Sequence, residues 1–196
     1  MNATLTAHYH QPRVLADLVS GKPAFHNTLL VLGGSVWVAG LSQVAIPLGF
    51  TPVPLSLGTF AVLSAGVVLG AKRAMAALIL FLLVGLAGAP VFANSGSGAV
   101  PTLGYVMGYL AAATLVGYLA GKGADRRPLT MLGAMALGSL VIYLGGVPYL
   151  ALATGQSVWQ TIQLGVIPFL VGDLIKVVAA AGLFPAAWVV AWRKGR

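Results

Sequence analysis

VIPFLVGDLIKVVAAAGLFPAAWVVAW, residues 166–192, is an apolar run interrupted only by Asp173 and Lys176, the two charged residues that fall inside the long apolar stretches of this chain. A run of this length reads as a membrane-spanning helix, which needs about 20 mostly apolar residues. A charged side chain at the centre of such a helix costs about 2.5 to 3.5 kcal/mol on insertion scales, so it is expected to face a protein interior or a water-filled cavity. The depth of the pair follows from the charge-free remainder. Residues 177–192 would rise only about 24 Å as helix, short of the ~30 Å hydrocarbon thickness. The span must therefore reach up to or past the pair, which places Asp173 and Lys176 in the outer third of the membrane or at its outer edge. Three residues apart, they share a helical face. A blander account makes Asp173 an N-cap and lets Lys176 snorkel outward, but a snorkelling Lys alone would not call for an acid beside it.

The rest of the chain agrees with a membrane setting. Of 196 residues, 59% are apolar and 7% charged, against roughly 25% charged in an ordinary soluble domain. Six windows are apolar enough to span: 28–46, 55–70, 74–89, 103–121, 131–154 and 166–192, the second and third being short. The connections alternate in character. Arg13 and Lys22 precede the first window, Lys72 and Arg73 follow the second, Lys122, Arg126 and Arg127 follow the fourth, and Arg193, Lys194 and Arg196 follow the sixth, whereas the other three connections carry no charge. The positive-inside rule makes the basic side cytoplasmic, with both termini inside. The expected organisation is a cytoplasmic tail over 1–27 that is not a signal peptide, one transmembrane domain over 28–192, and a basic cytoplasmic end over 193–196. The net charge of +8 is explained by this topology, and no basic, aromatic-interleaved segment points to nucleic acid. With no cysteine, disulfides and thiolate metal sites are excluded.

The uncharged connections are unusual. Pro47, Pro52 and Pro54 stiffen the first into an extended loop suited to a lid. The second, around Asn94-Ser-Gly-Ser-Gly98, is Gly/Ser-rich, with Asn94 offering both a donor and an acceptor. The third holds Gln156, Trp159, Gln160 and Gln163, as expected of a short helix lying at the interface. Within the spans, Gly66 and Gly70, Gly104 and Gly108, Gly117 and Gly121, Ala134 and Gly138, and Ser35 and Ala39 form small-xxx-small pairs that let helices approach closely, and the face on the first span could dock a partner. Gly121-Lys122-Gly123 lacks the glycine spacing and the Ser or Thr of a P-loop, and the three histidines, His8, His10 and His26, all lie in the tail. One intramembrane acid without a second carboxylate, Cys or His is poor equipment for hydrolysis. Solute capture or transport without a cofactor is the class that remains. A Lys next to an Asp suits a small solute bearing a carboxylate and N–H donors on an apolar body.

Four runs, TPVPLSLGTFAVL (51–63), GLAGAPVFA (85–93), PTLGY (101–105) and PFLVGDLIK (168–176), resemble in order the BioY family, the biotin-specific substrate-binding component of energy-coupling factor (ECF) transporters. The resemblance implies an all-α integral membrane protein with a six-helix S-component bundle. It implies biotin as the solute, with Lys176 meeting the valerate carboxylate, Asp173 and Asn94 the ureido ring, Tyr143 nearby, and the proline-rich loop closing over the site. Tyr105, Ser56, Thr51 and Gln43 complete the candidate substrate-binding set. The family also implies an energising module of a transmembrane coupling protein and two ATPases on other chains, docked here through Ser35 and Ala39. Ser56 and Gly58 stand where the family commonly has Thr and Gln, Val171 replaces a proline, and Ser35-x-x-x-Ala39 replaces an Ala-x-x-x-Ala motif.

The expected function is biotin capture at the outer face of a prokaryotic plasma membrane and delivery inward, by a transport protein rather than an enzyme. The alternatives are an S component for another carboxylate-bearing vitamin, and a membrane scaffold in which Asp173 and Lys176 merely pair with each other.

Overall fold

The computed structural model describes residues 13–19 and 23–194. Lys22, His8, His10 and Arg196, on which part of the tail and topology reading rests, lie outside the described residues.

The helices are α1 (Pro23–Ser42), α2 (Gly58–Leu69), α3 (Ala71–Leu86), α4 (Leu103–Gly121), α5 (Pro128–Thr154), α6 (Val158–Gly165) and α7 (Leu170–Lys194). Six of them form the bundle, and α6 is the short helix expected in the third uncharged connection. Among the described residues, four segments are long and apolar enough to cross a membrane: 24–42, 103–121, 128–154 and 158–193. α2 and α3 are shorter. α2 would rise only about 18 Å, but nine of its twelve residues are buried, so its neighbours are protein and it need not match the lipid. The first span was expected over 28–46 and instead ends at Ser42, because Ala45–Ile46 leaves the helix to pair as a strand. The last window, 166–192, opens on a turn and continues as α7. A 3-10 turn at Ile167–Phe169 separates α6 from α7, with Pro168 inside the turn where its missing N–H costs least.

Glycine sets how closely the helices approach. A Cβ on Gly66 would lie 2.6 Å from the Ala113 carbonyl oxygen, one on Gly117 2.6 Å from the Ala71 nitrogen, and one on Gly108 3.0 Å from the Ile142 carbonyl oxygen. Backbone therefore meets backbone where α4 packs on α2, α3 and α5, as small-xxx-small faces allow. Outward, Val36, Leu144, Leu152, Val171 and Ile175 are each at least 65% exposed, an apolar perimeter that fits lipid.

The basic connections share one end. Arg73 donates to Asn27 Oδ1 at 2.8 Å and pairs with Asp17 at 2.7 Å, and the Trp188 indole N–H near the end of α7 donates to Asp125 between α4 and α5. Burial pushes the Asp17 carboxyl up, but the hydrogen bonds from Arg73 and from the Val14 and Arg13 backbone outweigh it and hold the group below its ordinary range.

At the other end, the proline-rich loop is a hairpin. β1 (Ala45–Ile46) and β2 (Leu55–Ser56) pair antiparallel, Ala45 opposite Ser56 and Ile46 opposite Leu55. Its tip is tied to α6 by Thr51 Oγ1, which donates to the Leu164 carbonyl at 2.8 Å. α6 in turn is held by a capping box, in which Ser157 Oγ accepts from the Gln160 N–H and the Gln160 side chain accepts from the Ser157 N–H.

Candidate functional site

Beneath the hairpin, α2, α4, α5 and α7 bring the ends nearest it together around a small cavity. Ser42, Pro54, Ser56, Thr59, Phe81, Phe92, Tyr105, Tyr109, Tyr143, Phe169, Asp173 and Lys176 are among the residues that line it. The open volume is about 50 Å³, below the ~300–1,000 Å³ typical of ligand pockets. A vitamin-sized ligand exceeds this volume, so side chains around the cavity must move to admit one.

Asp173 is 8% exposed and sits in the first turn of α7. Its carboxylate accepts twice: Oδ1 from the Lys176 ammonium at 3.1 Å, and Oδ2 from the Tyr143 hydroxyl on α5 in a short hydrogen bond. Lys176 also donates to Thr59 Oγ1 on α2 at 2.8 Å. Three helices are thus joined through one acid and one cation. An ammonium has three N–H donors and an ionised carboxylate about four lone-pair sites. The network consequently retains one donor and two acceptor positions for a ligand. Asp173 and Lys176 are the only charged residues among those that line the cavity, so together they add no net charge.

Two further features shape the cavity. Around Gly58, at the start of α2, three hydroxyls converge: a Cβ there would lie 2.9 Å from Ser42 Oγ, 3.2 Å from Ser56 Oγ and 3.4 Å from the Tyr109 oxygen. The Gly58 N–H donates to Ser56 Oγ at 3.2 Å. Aromatic rings form the walls, Phe81 meeting Phe92 edge-on at 5.4 Å and Tyr105 meeting Tyr143 at 6.4 Å. Two larger, mostly apolar grooves flank the bundle: one of about 430 Å³ lies between α1, α2 and α7, and one of about 750 Å³ between α5, α6 and α7 reaches the network itself, with Tyr143 and Asp173 in its lining.

Of the sequence-derived set, Asp173, Lys176, Tyr143, Tyr105 and Ser56 come together at the cavity. Tyr105 also donates to the Gly165 carbonyl at 3.0 Å, which anchors the end of α6. Gln43, Thr51 and Asn94 are not among the lining residues. Gln43 Nε2 lies within 3.4 Å of the Pro90, Val91 and Phe92 carbonyls, and its Oε1 accepts from the Ser95 N–H at 3.0 Å, so its amide ties the end of α1 to the second uncharged connection. Thr51 pins the hairpin. Asn94 is exposed, with φ 57° and ψ 40°, a left-handed conformation that Asn tolerates better than most residues. Ser35 is 8% exposed and Ala39 half-buried, so this part of α1 turns toward the bundle. Thr59, Ser42 and Tyr109 also line the cavity and are not in the sequence-derived set. Tyr109 follows Tyr105 by one helical turn on α4, a spacing that could have placed both on the cavity face, and Thr59 is a polar residue opening an apolar helix. Ser42 carried no comparable signal.

Comparisons with known proteins agree with this architecture. The family model described as the BioY family matches residues 13–193. The chain is 36% identical over 155 residues to the biotin transporter BioY of Rhizobium etli, covering 74% of this chain and 82% of that protein. It is 36% identical over 164 residues to the biotin transporter BioY of Thermotoga maritima, covering 82% and 89%, and 38% identical over 140 residues to a probable biotin transporter BioY of Pyrococcus horikoshii, covering 71% and 82%. A crystal structure of the S-component for biotin from an ECF-type ABC transporter matches the fold with a TM-score of 0.74, over 91% of this chain and 95% of that one, at 20% identity.

Proposed function

The chain belongs to the BioY family, and from that premise we propose that it binds biotin with high affinity at the outer end of the bundle and serves its uptake as the substrate-binding component of an ECF-type transporter. The observation that carries the reading is the Lys176–Asp173–Tyr143 network, which lines a cavity and keeps one charged donor and two acceptor positions. The ureido ring presents a carbonyl oxygen between two N–H groups, a match for a Lys donor beside a carboxylate acceptor.

This division of roles differs from the sequence-derived one, in which Lys176 took the carboxylate. At 3.1 Å the two charged groups are too close to contact opposite ends of an extended ligand. In our reading both hold the ureido end, Lys176 donating to the carbonyl and Asp173 accepting from an N–H. The valerate carboxylate then lies toward the hydroxyls of Ser42, Ser56 and Tyr109. The thioether ring and alkyl chain rest against Phe81, Phe92 and Tyr105, and the hairpin is the element that moves to admit them.

The basic end of the bundle faces the cytoplasm in this reading, with both termini inside, in the plasma membrane of a prokaryote. A transmembrane coupling protein and two ATPases on other chains supply the energy, consistent with a chain that has no nucleotide-binding motif. Because Ser35 is buried, contact with the coupling protein falls on the adjacent exposed face of α1, around Gly33, Val36 and Gly40, as well as on Ala39.

The scaffold alternative draws on the same 3.1 Å ion pair. Exchanging the residues, Asp173→Lys with Lys176→Asp, separates the two. Equilibrium binding of labelled biotin to the detergent-purified chain is expected to be tight for the native protein and lost in a folded exchange variant. No binding by a folded native chain would sink the biotin reading.

A further inference from the structure

A second polar site lies at the opposite end of the bundle, where α4 gives way to α5 beside the end of α7. Lys122 is the last residue of α4's cap, Gly123 reverses the chain at φ +91°, a 3-10 turn runs over Ala124–Arg126, and Pro128 opens α5. This reversal sets Lys122, Arg126 and Arg127 side by side around a cavity of about 440 Å³, lined also by Leu119, Gly123, Ala124 and Thr130. The lining contains three cations and no acid. Asp125, within the same turn, is fully buried and points into the bundle, where it accepts from the Trp188 indole N–H. Elsewhere at this end Arg73 has Asp17 at 2.7 Å. Here, among the described residues, the acid nearest the three cations in sequence lies beneath the surface.

The cations are also held in place. The Lys122 ammonium sits 4.5 Å from the centre of the Tyr118 ring, and the Arg126 guanidinium lies 4.9 Å and 6.0 Å from the rings of Trp188 and Trp192. Cation–π stacking orients long side chains that would otherwise lose rotamer freedom on binding an anion. The rim is apolar: Leu129 is 82% exposed, Tyr118 53% and Trp192 50%. Exposed Trp and Tyr beside Lys and Arg mark the level of the headgroups.

We propose that this cavity holds the phosphate of an anionic phospholipid, with Lys122, Arg126 and Arg127 around the phosphate and the acyl chains descending past Leu129 and Trp192. The shared chemistry is a phosphate anion. A lipid is favoured over a soluble phosphate because the cavity opens beside exposed apolar side chains at the membrane boundary. The bound lipid would fix the α4–α5 turn against the end of α7 and hold the bundle at the level of the headgroups.

The test is native mass spectrometry of the full detergent-purified chain titrated separately with phosphatidylglycerol, phosphatidylcholine and inorganic phosphate. Lys122→Gln with Arg127→Gln is the variant, since both side chains are exposed and neither belongs to the biotin site. Retention of phosphatidylglycerol over phosphatidylcholine is expected, weakened about fivefold for each cation removed, with biotin binding and the unfolding temperature in lipid-free detergent unchanged. Equal retention of the two lipids, or undiminished retention of phosphatidylglycerol by the variant, would overturn the proposal. Inorganic phosphate that binds the native chain and displaces the lipid would assign the cavity to a soluble phosphate instead.

Discussion

Lys176→Ala is the substitution that discriminates most sharply between ways of using the cavity beneath the hairpin. At 3.1 Å the ammonium and the Asp173 carboxylate attract by roughly 5 kcal/mol at an effective dielectric of about 20, and desolvation of two groups that are 13% and 12% exposed offsets much of this. Removing the cation leaves Asp173 with the Tyr143 hydroxyl, so the bundle retains part of the network and the protein is expected to fold. Loss of one partner of a buried, hydrogen-bonded charge pair at a binding site costs about 2 to 5 kcal/mol, a factor of roughly 30 to 5,000 in affinity. The assay is competition binding with biotin and with biotin amidated at its carboxyl group, on the native chain and on the variant, each checked for folding by thermal unfolding. If Lys176 and Asp173 both hold the ureido end, the two ligands lose affinity by the same factor. If the amide is spared while biotin is not, Lys176 meets the carboxylate and the division of roles argued above is refuted. A folded variant that binds biotin like the native chain would remove Lys176 from the site altogether.

Thr59→Val deletes the hydroxyl that accepts from Lys176 at 2.8 Å and should weaken biotin binding by about 1.5 to 3 kcal/mol, the range for a hydrogen bond to a charged group, read in the same equilibrium assay. Gln43→Ala frees the second uncharged connection from α1, and stopped-flow release of labelled biotin should quicken while the ligand preference stays unchanged. Gly66→Ala puts a methyl 2.6 Å from the Ala113 carbonyl oxygen and should cost about 1 to 3 kcal/mol of stability. Gly133→Ala, with nothing within 4 Å, should leave stability unchanged or raise it by up to about 1 kcal/mol, so thermal unfolding of the two variants should move in opposite directions. Burial pushes the Asp125 carboxyl above its ordinary range, against the Trp188 hydrogen bond and the Arg126 charge. The folded state then holds its proton more tightly than the unfolded state, and stability should fall as pH rises from the ordinary carboxylate range through the raised value. Asp125→Asn should flatten that slope in unfolding scans. Asp17, held below its ordinary range, contributes the opposite dependence, its stabilisation being present above the ordinary range and lost as pH falls through the lowered value.

The membrane class and the helix count were legible because both rest on composition along the chain. Apolar length and the alternation of basic with uncharged connections need no knowledge of tertiary contacts. The boundaries were less legible where tertiary contacts decide them. Residues 43–46 are as apolar as the helix before them, yet they leave α1 because Ala45 and Ile46 find strand partners in Ser56 and Leu55, a pairing that depends on the length and stiffness of the loop between them. α2 could be short because α1, α3 and α4 surround it, which hydropathy along the sequence does not report.

The site divides along a similar line. A charge within an apolar span must be compensated wherever the helix goes, so Asp173 and Lys176 announced themselves from the energetics of burial alone. An uncharged polar residue at the edge of a span has two ways to be satisfied, a ligand or a neighbouring backbone, and the choice depends on which carbonyls the loops bring within reach. Gln43 met three of them and Thr51 met Leu164. Both thereby build the roof of the cavity instead of its lining. Thr59, Ser42 and Tyr109 show the converse, ordinary residues that line the cavity because α1, α2 and α4 converge there. Recognition in this chain is therefore expected to have two layers. Substitutions at Lys176, Asp173, Tyr143 and Thr59 should weaken the hold on the ureido end, for biotin and its amide alike, whereas those at Gln43 and Thr51 should speed release without altering what is recognised. A Gln43 or Thr51 variant that altered the preference between biotin and its amide would join those layers and would mean that the roof touches the ligand.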